Sequence, residues 1–468
     1  MGRRKVKIYR NVEITDIAAE GKAVAKLDDL VIFVTKAIPG DVVDLKITKK
    51  KKNYREAIPI HFHKYSAKRL PAFCEHFGVC GGCKWQELPY KEQLFYKQKQ
   101  VVDAMERIGK VELPEILPIV PSENTLYYRN KLEYTFTNRK WLDEIDKSIP
   151  YEERISKGLG FHVSTMYDKV VDIKHCYLQV HPSNEIRLKL QQFTDTDAFD
   201  YYDLRKKKGY LRNLVVRTSS TGQIMIILVF GYDDPDRRNK IFDFLIKNYP
   251  KVDSWMYMIN DKLNDSLADL ELHHQKGKTY LIEKMEDLHF RIGGKSFFQT
   301  NYQQALRLYV IARAFAGLTG KEIVYDLYTG TGTIANFVAK YAKKVIGIEY
   351  VDEAIKDAAV NSEINRITNT TFYAGDIKDL LTDSFIAKNG KPDVIICDPP
   401  RAGMHERVVK TIIKTLPKKI VYISCNPATQ ARDVHMMTEK YKLEKIQPVD
   451  MFPHTHHVEN VVLLTLKE

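Results

Sequence analysis

The sequence predicts an α/β protein in three segments, the last a largely parallel, doubly wound, Rossmann-like sheet. Two observations carry that sheet: β-branched runs alternate with helical stretches from residue 293 to 468, and the first run passes into Gly330-Thr331-Gly332-Thr333. The length of 468 residues supplies the third, because it exceeds one ordinary domain and calls for two or three.

Residues 1–62 come first, with the runs KVKIYRNVEIT, AVAKL, LVIFVTKA and VVDLKIT broken by Gly and Asp turns. Strands this short, rich in β-branched residues, predict a small antiparallel barrel of the OB type, a shape that commonly binds RNA. Residues 63–292 are mixed α+β, with a helical stretch YKEQLFYKQKQVVDAMERIG and strand runs LRNLVVRTSS and GQIMIILVFG. Around residues 140–157 the chain is charged and aperiodic, which predicts a surface insertion. In residues 293–468 the runs EIVYDLY, VIGIEY, TTFYAGD, DVIICDPP, KIVYISC and VENVVLLTL alternate with helices.

Hydrophobic residues at 44% and aromatics at 11% suffice for packed cores and exclude a disordered chain. No run of about 18 uncharged apolar residues occurs, so no helical membrane span is expected. The basic start MGRRKVKIYR has no apolar stretch behind it, as a secretory signal would, and a cytoplasmic location is expected. The net charge is +13, and residues 1–64 hold 15 Lys+Arg against 8 Asp+Glu, a net of +7. Lys46, Lys49, Lys50, Lys51, Lys52 and Arg55 cluster there, a solvated face or a contact to nucleic acid. No protein partner is implied.

The glycine turn and Glu349, an acid some 20 residues on, suit a ligand with ribose hydroxyls, but Gly330-x-Gly332-x-x-Ala335 also satisfies a dinucleotide fingerprint. The fourth run ends in Asp398-Pro399-Pro400-Arg401 and the fifth in Ser424-Cys425-Asn426-Pro427. Cys425 therefore stands at the carboxyl edge of the sheet, where ligands bind, and is a candidate nucleophile. Glu459, just before the closing run, is a candidate base; the nearby His454, His456 and His457 lack the companion ligands of a metal site.

Cys74, Cys80 and Cys83 lie close together, with Cys176 remote. In a cytoplasmic chain disulfides are not expected, and this three-plus-one spacing suits an iron–sulfur cluster better than zinc, which favours two close pairs.

The motifs FFQTN (Phe297 to Asn301), DLYTGTG, GIE, DPPRAG, SCNPAT and HTHHVEN, in this order, resemble the RNA uracil-C5 methyltransferases, most closely the bacterial enzymes of 23S ribosomal RNA. EGKAVAKLDD and AIPGDVV resemble the TRAM module, with Ala23 where a second Gly is commoner. The resemblance implies a class I methyltransferase domain at 293–468, 23S rRNA as partner and S-adenosylmethionine as methyl donor. It implies contacts to that donor or to the target base from Gln299, Tyr328, Glu349, Asp376 and Asp398, with Thr333 where many relatives carry Asn. It also implies a [4Fe–4S] cluster on the four cysteines. The transfer-RNA branch of the family is expected to lack both barrel and cysteine cluster. Arg401 replaces the aromatic that follows Asp-Pro-Pro in enzymes methylating exocyclic amines, which disfavours that chemistry.

Carbon 5 of uracil is a poor nucleophile until a group adds at C6, and a thiolate both adds and leaves well. Cys425 fills that role, and Glu459 is expected to take the C5 proton. The base must be turned out of its stack to reach them. Competing readings are a transfer-RNA uracil-C5 methyltransferase, a noncatalytic RNA-binding ribosome-assembly protein and an NAD-dependent oxidoreductase; the last leaves DPPR and SCNP unexplained.

Overall fold

The computed structural model describes residues 7–142, 148–150, 156–164 and 166–468, so most of the charged insertion lies outside the described residues. Among the described residues there are four sheets, three large and one a two-stranded hairpin.

The first has six strands in the order Ile8–Glu13, Val42–Lys50, Tyr54–Lys64, Leu30–Val34, Ala23–Leu27, Asp16–Ile17. Alternation puts Val12, Ala23, Ala25, Ile32, Val34, Val43 and Leu45 on one buried side, and the sheet curls over them until Ile8–Glu13 touches Ala23–Leu27. The strand Tyr54–Lys64 was not foreseen: Pro59, opposite Leu45 beside a bulge, and mixed polarity hide it.

The second sheet has seven strands in the order His273–Gly277, Ser254–Ile259, Ile224–Phe230, Leu211–Thr218, Lys131–Thr137, Gly158–Val163, Met166–Asp172. Helices Ser183–Thr196 and Pro235–Asn248 cover one face, burying Ile186, Leu190, Ile241, Phe242 and Leu245. A hairpin, Tyr280–Met285 with Leu288–Gly293, leads onward.

The third sheet runs Thr370–Ala374, Lys344–Glu349, Ile323–Leu327, Val394–Cys397, Lys419–Ser424, Glu459–Leu466, Tyr441–Val449. The first five are parallel and the last two antiparallel. Because Ile323–Leu327 has later strands on both sides, the order reverses there, and a crevice opens at the strand ends. The helix Tyr90–Ala104, read with the central segment, packs instead on this sheet: Val101, Ala104 and Met105 pack with Ala431, Val434 and Met437. Ile116 and Val120 then pair with Ile446 and Val449 at its edge. Among the described residues no helix is long and apolar enough to cross a membrane.

Candidate active site

Strand Ile323–Leu327 delivers the chain to Tyr328, whose φ of 65° is left-handed and uncommon for a bulky side chain. Gly330 and Gly332 follow at φ 53° and 73°. Only glycine fits at 332, because an added Cβ would lie 2.7 Å from the Cβ of Ala358. The Gly330 N–H donates to Glu349 Oε2 at 3.2 Å, while Glu349 Oε1 accepts from the Tyr350 and Val351 N–H groups at 2.8 and 3.1 Å. The acid at the end of the second strand is thereby fixed against the glycine turn.

A cavity of about 1290 Å³ follows the carboxyl edge of the sheet. Gln299, Tyr328, Thr333, Glu349, Asp376, Asp398, Cys425 and Glu459 all line it, so every candidate donor-binding and catalytic residue meets in one space. Cys425 and Glu459 come from antiparallel neighbours whose last ladder pair is Ser424 with Asn460, so the two stand opposed one step beyond it. Asn426 caps the helix Pro427–Met437 through the Ala428 N–H at 3.1 Å, and its Nδ2 donates to the Arg401 carbonyl at 3.0 Å. That bond ties the DPPR turn to the SCNP turn.

The family model described as tRNA (Uracil-5-)-methyltransferase matches residues 267–467, and the TRAM domain matches residues 3–60. An RNA methyltransferase of Bacteroides thetaiotaomicron is 56% identical over 96% of this chain and 100% of its own, and one of Porphyromonas gingivalis 52% identical over 97% and 99%. The chain belongs to the RNA uracil-C5 methyltransferase family. Among solved structures, the Pyrococcus abyssi tRNA (uracil-54, C5)-methyltransferase in complex with S-adenosyl-L-homocysteine superposes with a TM-score of 0.75 at 29% identity, covering 97% of this chain and 99% of that one. The protein is an S-adenosylmethionine-dependent RNA methyltransferase. The same superposition corrects one expectation: a transfer-RNA enzyme spans the barrel and the cysteine segment too, so these do not separate the two branches.

Electrostatics in the methyltransferase cavity are dominated by burial. The Glu459 carboxyl is pushed well above its usual range by burial and then by Asp398, with Arg401 opposing. Burial likewise raises Asp398 to about 7. The Cys425 thiol is raised to about 11 by burial, then by Glu459 and Asp398, while Arg401 favours its thiolate. A hydrogen bond from Lys378 holds Asp376, at the cavity edge, below the ordinary carboxylate range. Sequence reasoning missed the part played by Arg401, treated only as the absence of an aromatic, and missed Phe452 and His457, which also line the cavity.

The loop before Glu459 is anchored from the N-terminal third of the chain. Lys97 and Asp450, both without solvent exposure, pair at 2.5 Å; Lys97 also donates to the Phe452 carbonyl at 2.9 Å and Tyr90 Oη to Asp450 at 2.7 Å. The His454 carbonyl accepts from the Lys84 and Trp85 N–H groups, and the Trp85 indole donates to the Gly21 carbonyl at 3.3 Å. Burial lowers His454, His456 and His457 to about 4, 3 and 4, so all three are neutral near pH 7.

Cys74, Cys80, Cys83 and Cys176 line a second cavity of about 370 Å³. Gly81 donates to the His162 carbonyl at 3.0 Å, which pins the cysteine loop on strand Gly158–Val163; Asn184 brackets Cys176 through its N–H and carbonyl at 2.8 and 3.0 Å. Among the described residues no three His, Cys, Asp or Glu groups converge closely enough for a single ion. Four thiols facing one cavity are a donor set that soft metal ions and iron–sulfur clusters accept.

Proposed function

We propose that this methyltransferase makes 5-methyluridine in 23S ribosomal RNA, in the cytoplasm, by covalent catalysis. The observation that carries the reading is the opposition of Cys425 and Glu459 in the cavity that also holds Glu349 and the glycine turn. S-adenosylmethionine supplies an electrophilic methyl group. Gln299, Tyr328, Thr333, Glu349, Asp376 and Asp398 hold that donor or the base beside it.

The Cys425 thiolate adds to C6 of a flipped uracil, and the displaced π electrons make C5 nucleophilic. After C5 has gained its methyl group, Glu459 takes the C5 proton, the C5–C6 double bond reforms and the thiol leaves. Burial and Asp398 raise the Glu459 carboxyl and Arg401 opposes them, so positive charge bound nearby would favour its carboxylate form. Arg401 is the fixed cation that favours the Cys425 thiolate.

Incubation with S-adenosylmethionine and unmodified transcripts of 23S rRNA and of transfer RNA, followed by nucleoside mass spectrometry, tests the reading. Methylation at uracil C5 in the ribosomal transcript is expected, and no 5-methyluridine in either RNA overturns it. Methylation of the transfer RNA alone would favour the second reading, which the full-length superposition on a transfer-RNA enzyme supports.

The four cysteines are proposed to hold a [4Fe–4S] cluster that shapes the central segment, since no step above moves an electron. Protein purified without oxygen should be brown, with about four iron and four sulfide per chain. Stoichiometric zinc without labile sulfide would overturn that assignment.

A further inference from the structure

Beside the cysteine cavity runs a connected row of aromatic rings, from exposed Tyr127 to buried His454, none of them in a hydrophobic core cluster. Tyr127 is 41% exposed and sits at φ 54°, a conformation that costs a residue with a large side chain. Its N–H donates to the Tyr177 carbonyl at 2.8 Å, and its Oη lies 3.2 Å from His175 Nε2. The His175 and Tyr177 rings meet edge to face at 4.5 Å, Tyr177 meets Phe73 at 5.3 Å, and Phe73 meets His454 at 5.0 Å. Phe73, His175 and Tyr177 border the cysteine cavity, but Tyr127 is not among its lining residues. The fold therefore tolerates a strained backbone to present a ring that neither a core nor that cavity requires.

The row is continuous with the catalytic cavity. Two residues on, Arg129 lies 5.3 Å from the ring of Phe452, a cavity residue. Three residues on, the Asn130 N–H donates to the Thr300 carbonyl at 2.8 Å and Asn130 Nδ2 to the Gln299 carbonyl at 3.0 Å. Three extended residues span about 10 Å, within reach of a nucleotide next to the one in the cavity. A base flipped out of its stack leaves its neighbours without a stacking partner, and exposed aromatic rings beside a cation satisfy them without reading sequence.

We propose that Tyr127, backed by His175 and Tyr177, is the stacking platform for an unpaired nucleobase flanking the target uridine. The inference rests on the RNA-substrate reading above. The probe is a single-stranded RNA oligonucleotide with 2-aminopurine beside its uridine, because stacking quenches that base whether or not methyl transfer follows.

Tyr127→Gly removes the ring and relaxes the backbone, since glycine takes positive φ freely; Tyr127→Phe keeps the ring and loses only the hydroxyl. Wild type and Tyr127→Phe should quench alike, while Tyr127→Gly should lose the quenching and bind the oligonucleotide roughly tenfold or more weakly. S-adenosylmethionine affinity and iron content should be unchanged in both variants. Equal quenching and affinity in Tyr127→Gly would overturn the platform. So would a Tyr127→Phe as impaired as Tyr127→Gly, or loss of iron or donor binding, because the residue would then be a structural prop. A wild type that quenches the probe but methylates no RNA would leave the platform standing and remove the enzymatic reading.

Discussion

Cys425 and Glu459 stand opposed across two antiparallel strands, one step past the ladder pair Ser424–Asn460, in the cavity along the carboxyl edge of the sheet. The sheet register itself sets the proposed nucleophile and base at neighbouring positions. Their removal should have different consequences. Cys425→Ala should bind RNA and donor and form no covalent adduct. Glu459→Gln keeps the nucleophile but has no base for the C5 proton, so a methylated protein–RNA adduct should accumulate. A denaturing gel with labelled RNA should show a retarded band for Glu459→Gln alone; equal bands in both variants would remove Cys425 from the mechanism.

Both proposed catalytic groups must lose a proton to work, and burial raises both. In the free enzyme kcat/KM for RNA should therefore rise with pH and still be climbing above about 8.5, the ordinary thiol value. Arg401→Leu removes the charge that favours the thiolate and should shift this limb further alkaline. A plateau below pH 7 in the wild type would contradict the environment described here.

Stability should have its own pH dependence through Asp326, fully buried beneath the glycine turn and bonded to Thr329 Oγ1 at 2.5 Å. Burial raises its carboxyl to about 7, against about 3.9 unfolded. The native state thus binds the extra proton between those values. Its contribution is full below about pH 4 and is lost as pH rises through about 7. Asp326→Asn should flatten the fall in melting temperature over that window.

Gly332→Ala meets two obstacles, a left-handed φ and the Ala358 side chain. The conformation alone costs about 1–2 kcal/mol, and the turn must shift to relieve the contact. Calorimetric titration should show weakened S-adenosylmethionine binding along with a lower melting temperature. Unchanged donor affinity would mean the turn does not shape the donor site.

Lys97→Met should be among the most damaging single changes outside the cavity, because it strands Asp450 as an uncompensated buried charge. Breaking such a pair from one side costs about 3–5 kcal/mol. Denaturant unfolding should show most of that loss restored in Lys97→Met/Asp450→Asn, where no charge remains to be buried.

Much of this was legible in the sequence, for physical reasons. Parallel strands buried on both faces must be nearly continuous apolar runs, so EIVYDLY, VIGIEY, DVIICDPP and KIVYISC announced themselves, and the residues at their carboxyl ends proved to share one cavity. Mixed strands did not: Tyr441–Val449 alternates charge with Leu and Ile and carries Pro448, and it passed unread. Long-range packing was equally hidden. The charges of Lys97 and Asp450, 353 positions apart, look like ordinary surface residues until the fold buries them together. The strained φ of Tyr127 leaves no trace in composition at all.

That ion pair also bears on how the chain is made. Lys97 leaves the ribosome hundreds of residues before Asp450, and the helix Tyr90–Ala104 packs on a sheet whose last strands are the final part of the chain. A nascent chain therefore carries a helix with a lysine in its buried face, whose ionic partner follows 353 positions later. Because Asp450 introduces the loop leading to Glu459, a product cut short before that loop has neither the partner of Lys97 nor the proposed base.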